Sequence, residues 1–357
     1  MNLVEIGIHN IRVIRCLNMI PAEGLNILTG SNGSGKTSIL EGIYLLGRGR
    51  SFRGRIYKNI ITQGEDNCAV NALVDNGMGA RLRIGIERGK RGGCVKVGNK
   101  EIRQASELAK NLPLLFLSPD SQRLFTEGAK ERQRFLDWIL FHVEPTYFDI
   151  LYRYLRVLRQ RNAALRQVSG RALLRAWNEE LGNLGELLDK YRRKSVEVLS
   201  PILYRYSKNV LEGEILMEYS SGWDNKRPLV DVLHERVESD ERLGYTLQGP
   251  HRGDLHFLLQ GFPVGKRLSR GEAKRFLFAL VLAQAQYLVD QANIVPVILI
   301  DELTAELDNQ SIHDIFQTLV MFRTQVFVTA VSDKQINENM YHEAKMFHVE
   351  RGTVRTL

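Results

Sequence analysis

The sequence predicts an α/β fold in which a mixed sheet presents a phosphate-binding loop, with an antiparallel β meander beside it and an inserted helical lobe. Three observations carry this. The apolar run Leu25-Asn26-Ile27-Leu28 leads into Gly30-Ser31-Asn32-Gly33-Ser34-Gly35-Lys36-Thr37, and residues 38–46 follow with helical spacing, so the glycines fall between strand and helix as a P-loop requires. Far downstream, Val297-Ile298-Leu299-Ile300 ends in Asp301 and Glu302, at the strand end where parallel sheets bind ligands. Between these, from about residue 130 to 210, the apolar period becomes helical.

In chain order, residues 3–8, 12–20 and 25–28 read as strands broken by Asn10 and by Pro21 to Gly24, a sheet expected to deliver the P-loop. The loop glycines let backbone N–H groups curl around polyphosphate oxygens, Lys36 reaches the β/γ-phosphates, and Thr37 can ligate Mg²⁺. ATP with Mg²⁺ is the ligand this pattern suits, cradled by Gly30, Ser31, Asn32, Gly33, Ser34, Gly35, Lys36 and Thr37. A chance glycine-rich turn would not carry strand, helix, Lys and Thr in register.

Residues 47–55 are too rich in Gly and Arg to continue a helix and read as a basic loop. It is either a solvated turn or a DNA contact, with Arg50, Arg53 and Arg55 around Phe52 as the candidates. Residues 68–103 read as the meander, with turns at Asp75-Asn76-Gly77 and Gly92-Gly93. Residues 114–117 form a buried strand stopped by Ser118-Pro119.

The helical lobe carries Phe135, Trp138 and Ile139, then Tyr154, Leu155 and Leu158, then Leu184, Leu187 and Leu188 at core spacing. Ser169-Gly170 suits a turn, Pro201 a break or kink, and Arg153, Arg156, Arg159, Arg161, Arg166, Arg171 and Arg175 a mostly solvated polar side. Sheet-like sequence returns at 255–259, followed by a helix from 270 to about 289, the acidic strand, a helix over 308–322 and strands over 325–331, 345–350 and 353–356. The expected organisation is therefore a discontinuous nucleotide lobe, 1–120 with 243–357, around a helical lobe at 121–242.

Composition is consistent with this. At 357 residues and 44% hydrophobic content the chain is a globular protein of two lobes. Its 49 Lys+Arg against 41 Asp+Glu leave a net charge of +8, which suits an anionic partner without identifying one. Cys16, Cys68 and Cys94 are odd in number and form no Cys-x-x-Cys, which indicates neither a disulfide framework nor a zinc site and fits a reducing cytoplasm. The N-terminus does not read as a signal peptide, and no run reaches membrane-spanning length.

A second phosphate-binding terminus is also present. Leu268-Ser269-Arg270-Gly271-Glu272 opens the helix before the acidic strand, and Ala305-Glu306-Leu307-Asp308 follows that strand; Ser and Gly at a helix start offer a hydroxyl and free N–H groups. In this order the set resembles the signature motif and D-loop of the ABC ATPases. That resemblance implies two subunits sandwiching ATP, with Ser269, Arg270, Gly271 and Asp308 of one facing the P-loop of the other, Asp301 on Mg²⁺ with Thr37, and Glu302 as the base with Lys36 as catalytic partner. Transporter ATPases have a shorter interval between P-loop and acidic strand, and sustained heptads of an SMC-type coiled coil are absent.

More specifically the chain resembles the RecF family of bacterial recombination mediators along its length. The matching residues are Asn32-Gly33-Ser34-Gly35-Lys36-Thr37-Ser38, Gly49-Arg50-Ser51-Phe52-Arg53, Arg134-Phe135-Leu136-Asp137, Gln160-Arg161-Asn162, Gly249-Pro250-His251-Arg252, Leu268-Ser269-Arg270-Gly271, Glu306-Leu307-Asp308 and Gln325-Val326-Phe327. Pro119-Asp120-Ser121 stands where the family usually has Pro-Glu-Asp, Gly253-Asp254 where Asp-Asp is common, and Glu272 where the signature usually has Gln. No switch histidine is found in Val328-Thr329-Ala330-Val331. The family implies an ABC-type ATPase head, an ATP-dependent homodimer on DNA, slow hydrolysis, and work with RecR and RecO in loading RecA at gaps. Two other readings compete: the ATPase subunit of a transporter, which needs a membrane partner, and a small-molecule P-loop kinase, which has no use for Ser269-Arg270-Gly271.

Overall fold

The computed structural model of the chain describes residues 1–54, 57–75, 77, 79–90, 92–102, 105–167, 171–208, 210–211, 213–331 and 344–357. The chain divides into two compact units, Met1–Ser121 with Asn293–Leu357, and Gln122–Ala292.

The first unit holds two six-stranded sheets. Strands β1 (Asn2–Ile11) and β2 (Ile14–Met19) form a hairpin, and β3 (Leu25–Thr29) leads to helix α1 (Lys36–Arg48). Then come β4 (Asn67–Asp75), β5 (Arg81–Gly89), β6 (Val95–Val97), β7 (Lys100–Glu101), a short helix α2 (Ala105–Asn111) and β8 (Leu114–Leu117). One sheet is antiparallel, in the order β2-β1-β4-β5-β6-β7. Along β4 buried and half-exposed residues alternate, the pattern of a sheet with one covered face. The first two strands thus extend the meander rather than the P-loop sheet, which corrects the sequence reading: Leu3, Ile6 and Ile8 are buried in β1, and their register matches β4 from Asn2–Asp75 to His9–Ala69.

The second sheet is built mainly from the returning chain. Strand β12 (Val297–Ile300), β13 (Val326–Thr329), β14 (Lys345–Glu350) and β15 (Thr353–Thr356) assemble with β3 and β8 in the order β15-β14-β3-β13-β12-β8. All but β15 run parallel. Every residue of β3, β12 and β13 is buried, as expected for central parallel strands. Helix α1 belongs to one hydrophobic core with both sheets: Ile39, Leu40 and Ile43 cluster with Ile8 of β1 and with Leu28, Leu299 and Phe327 of the second sheet.

Helix α1 also runs further than its composition suggests. Gly47 and Arg48 are helical, and the left-handed Gly49 (φ 66°) ends the helix, its N–H donating to Leu45 O at 2.8 Å. Gly47 is retained in the helix because β8 passes so close that a Cβ would lie 2.3 Å from Leu114 Cδ1.

The second unit is mainly helical. It contains a short α3 (Arg123–Thr126), then α4 (Ala129–Val143), α5 (Tyr147–Arg166), the 37-residue α6 (Arg171–Ser207) and β9 (Ile215–Ser220). Short helices α7 (Leu229–Glu235) and α8 (Val237–Leu243) precede β10 (Asp254–Leu259), β11 (Phe262–Pro263), α9 (Val264–Arg267) and α10 (Arg270–Ala292). Residues 243–292, grouped from the sequence with the nucleotide lobe, pack in this unit: Phe276 of α10 stacks on Phe125 at 5.3 Å and meets Phe257 of β10 edge-on at 5.8 Å. Helix α6 continues through Pro201. The expected Ser169-Gly170 turn lies outside the described residues.

Two buried arginines organise this unit, and one corrects the expected solvated face. Arg161 is 0% exposed and donates at 2.7 Å each to Asn178, Asp240 and Thr246, while Asn162 accepts from the Thr246 N–H and hydroxyl. Arg192 donates to the Pro250 carbonyl, Asp137 and the Tyr147 hydroxyl. Buried charges are tolerated only with such pairing.

His251 completes the set. Its Nδ1 accepts from the Tyr154 hydroxyl at 2.7 Å and its Nε2 donates to Thr246 O at 3.0 Å, an arrangement for the neutral ring. Burial pushes its pKa down to about 4, with Arg252, Arg161 and Arg192 adding to the effect against the Thr246 carbonyl. The unfolded chain takes up this proton near pH 6.5 and the folded one near 4, so the stability His251 contributes is complete above about 6.5 and lost as pH falls through that window. The loss amounts to about 3 kcal/mol. Urea unfolding at pH 7, 5.5 and 4 is expected to show a decline that is shallower by that amount in His251→Asn; parallel declines would contradict it.

Candidate functional site

The parallel order places three strand ends side by side: β3 delivers the glycine loop, β12 the two acids, and β13 lies between them. Thr37 at the start of α1 donates its hydroxyl to Asp301 Oδ1 at 3.0 Å. Thr329, the last residue of β13, donates to the same oxygen at 2.7 Å and accepts the Glu302 N–H at 2.7 Å. Asp301 is buried; Glu302 is exposed and held in the left-handed region at φ 54°. A cleft of about 330 Å³ opens at these strand ends, lined by the P-loop together with Arg12, Arg53, Glu302 and Thr329.

The loop is closely supported. Lys36 is buried and donates to the carbonyls of Gly30 and Ser31 at 2.6 and 2.9 Å. Burial draws its ammonium below the ordinary lysine range, and the Asp301 and Glu302 carboxylates oppose that fall. Gly30 (φ 141°) cannot carry a side chain, since a Cβ would lie 2.2 Å from the Val349 carbonyl. From the turn after β14, Gly352 donates its N–H to Ser34 O at 2.8 Å.

The residues present fit a polyphosphate. The Ser34 hydroxyl is buried and without a hydrogen-bond partner among the described residues, the kind of orphaned donor that a bound anion satisfies. Thr37 and Asp301 supply hard oxygen ligands of the sort Mg²⁺ takes.

A family model for the RecF/RecN/SMC N-terminal domain matches residues 2–355. The DNA replication and repair protein RecF of Vibrio parahaemolyticus is 36% identical over 358 residues, covering 100% of both chains. That of Thioalkalivibrio sulfidiphilus is 36% identical over 99% of each. The chain belongs to the RecF family. Its fold agrees with the solved structure of the recombination mediator protein RecF-ATP in the RecFOR pathway, at TM-score 0.88 and 25% identity over 100% of this chain and 97% of that one. The Smc head bound to the C-winged helix domain of ScpA shares the fold at TM-score 0.61 and 13% identity, over 100% and 97%. The fold is therefore that of the ABC-type ATPase heads.

The RecF-type motifs divide between site and scaffold. Gln160-Arg161-Asn162 and Gly249-Pro250-His251-Arg252 serve the buried network of the second unit. At the signature, Ser269 and Glu272 form a capping box at the start of α10: Ser269 donates its N–H and hydroxyl to Glu272 at 2.8 and 2.6 Å, and the Glu272 N–H returns to Ser269 Oγ at 3.3 Å. The serine contacts hold the Glu272 carboxyl below its usual range. Arg270 is exposed and Gly271 half-buried.

Asp308 caps helix α11 (Asn309–Met321), accepting from the Ser311 N–H at 2.8 Å. Arg50 and Arg53 are exposed, and only Arg53 lines the cleft; Arg55 lies outside the described residues.

Sequence reading missed Arg12, Thr329 and Gly352, which belong to no motif. It also missed Glu41, although a lone acid inside the apolar run Ile39-Leu40-Glu41-Gly42-Ile43 is itself a signal.

The two acids occupy different environments and are expected to fail differently. Asp301→Ala removes the oxygen that faces Thr37 and is expected to weaken Mg-ATP binding by about tenfold or more, the worth of a charge-assisted contact. Glu302→Gln keeps nucleotide binding but lowers turnover by about 10²- to 10⁴-fold if Glu302 is the base. Equal turnover in wild type and Glu302→Gln would remove that role.

Proposed function

We propose that this chain is an ATP-gated DNA-binding clamp of recombinational repair and replication-fork maintenance. The observation that carries the reading is the single oxygen of Asp301 that meets the P-loop threonine and the acidic strand's neighbour in one cleft. In this reading Gly30 to Thr37 hold the triphosphate, and Thr37 with Asp301 hold Mg²⁺, which supplies charge neutralisation at the phosphates. Glu302, beside the cleft, orients and deprotonates the attacking water. Lys36 stabilises the phosphate charge.

A second copy of the chain completes the site. Ser269, Arg270 and Gly271 of one copy close on the nucleotide of the other, and Asp308 lies at the same seam. Because Glu272 keeps a carboxylate at that helix start, phosphate binding there competes with an internal negative charge, which fits a switch with slow hydrolysis. The relatives named DNA replication and repair protein RecF and the structure described as RecF-ATP in the RecFOR pathway support DNA, RecR and RecO as partners; work at gapped DNA in the cytoplasm, with RecA loaded through RecR and RecO, belongs to the same proposal. Family membership disfavours the transporter and kinase readings, and no helix among the described residues is long and apolar enough to cross a membrane.

DNA contact is assigned to the loop after α1. Phe52 anchors it, packing on Phe116 at 4.4 Å and on Tyr44 at 5.4 Å, which leaves the exposed Arg50 and Arg53 for phosphates. A salt titration of DNA binding with and without ATP tests this. ATP is expected to raise affinity, and replacing Arg50 and Arg53 by Ala to reduce the salt slope by up to about two units, one per phosphate. An unchanged slope would make the loop a solvated turn; no effect of ATP on wild type would remove the gating.

A further inference from the structure

Glu41 lies in the middle of α1 with a side chain that is 0% exposed, and the P-loop chemistry makes no use of it. Its carboxylate is taken by two segments that flank the nucleotide cleft. Arg12, at the turn between β1 and β2, donates from Nε to Oε2 at 3.0 Å and from Nη2 to Oε1 at 3.1 Å. Ser51, just past the helix, donates its hydroxyl to Oε1, and that hydroxyl accepts the Arg53 N–H at 3.0 Å. Arg12 and Arg53 both line the cleft. One buried carboxylate therefore stands at the centre of a chain of hydrogen bonds whose two ends face the same anion site.

The geometry is constrained on every side. Arg12 is a non-glycine residue at φ 54°, a conformation that costs energy and is kept where the surroundings impose it. Its N–H donates to Ile60 O at 2.8 Å, and Ile11 pairs with Ile61, so the hairpin tip is tied to residues 60 and 61 as well. The paired Glu41 and Arg12 form the bidentate arrangement that is the strongest of the charge-assisted contacts. Arg12 Nη1 carries no hydrogen bond among the described residues, and its side chain is 26% exposed. Arg12 can thus give Glu41 one edge of its guanidinium and an anion the other.

We infer that Glu41 is a positioning residue that relays nucleotide occupancy to the basic loop at Arg50 and Arg53, through Arg12 on one side and Ser51 on the other. The inference rests on the ATP-gated DNA reading above. A polyphosphate on the open edge of Arg12 fixes the guanidinium and with it the carboxylate that orients Ser51. The loop is then ordered before DNA arrives, which removes part of the ordering entropy from the binding step.

Ser51→Ala separates the two halves of the relay, because it leaves the Arg12–Glu41 pair in place. ATP affinity, followed with a fluorescent analogue, is expected to stay within about twofold of wild type, while the gain in duplex-DNA affinity on adding Mg-ATP falls about fivefold, the worth of one hydrogen bond. Ser51→Thr, which keeps the hydroxyl, is expected to restore the gain. Glu41→Gln is expected to lower both ATP affinity and the gain, since Arg12 loses its charged partner. If wild type gains nothing from ATP, the gating reading itself fails. If wild type gains and Ser51→Ala gains as much, or if Ser51→Thr fails to restore what Ser51→Ala loses, the relay is overturned and gating stands.

Discussion

Asp301 Oδ1 accepts hydroxyl hydrogen bonds from Thr37 and Thr329 at once, and the cleft beside the glycine loop is organised by that convergence. It exists because β13 lies between β3 and β12 in a parallel sheet, so that three C-terminal strand ends open on one edge. The residues before each end are all buried, which leaves the register no freedom to slip without exposing a core strand. Thr329 does a second job by taking the Glu302 N–H, and this holds Glu302 in its left-handed conformation at the cleft. Two adjacent acids thereby acquire different surroundings, one buried among hydroxyls and one open to solvent.

A different constraint shapes the second unit, where charge is buried rather than presented. Arg161 and Arg192 each replace their water shell with carboxylate, hydroxyl, amide or carbonyl partners drawn from distant parts of the chain. Removing one partner would strand a charge in a low-dielectric interior, which is strongly destabilising. These networks fix the loop containing Pro250 and His251 against α5 and α6, and their role is architectural.

Local chemistry made part of this legible from sequence. The P-loop, the acidic strand end and the signature helix start each consist of neighbouring residues whose types announce their use, and the strand and helix periods around them were strong. Pairing was not legible: Ile6 and Ile8 alternate in a way that suits either sheet, and only the long-range register with β4 decides between them. Helix α1 passed through Gly47 because a tertiary contact with Leu114 requires a small residue there, overriding the usual preference. Arg161 looked like its solvated neighbours, since its partners Asp240 and Thr246 are 79 and 85 positions away. Thr329 and Arg12 were invisible for the same reason, each being an ordinary residue brought to the cleft by what the fold sets beside it.

In the proposed dimer the cleft is half of a site, completed by Ser269 to Gly271 of a second copy. Sedimentation velocity of the Glu302→Gln protein, with and without Mg-ATP, run beside the same protein carrying Ser269→Arg, decides whether it is. The expected result is a dimer with ATP and a monomer without it, and a monomer under both conditions once Ser269 is Arg even though ATP still binds. A Ser269→Arg protein that dimerises normally with ATP would contradict it, and Ser269 would be only the cap of α10.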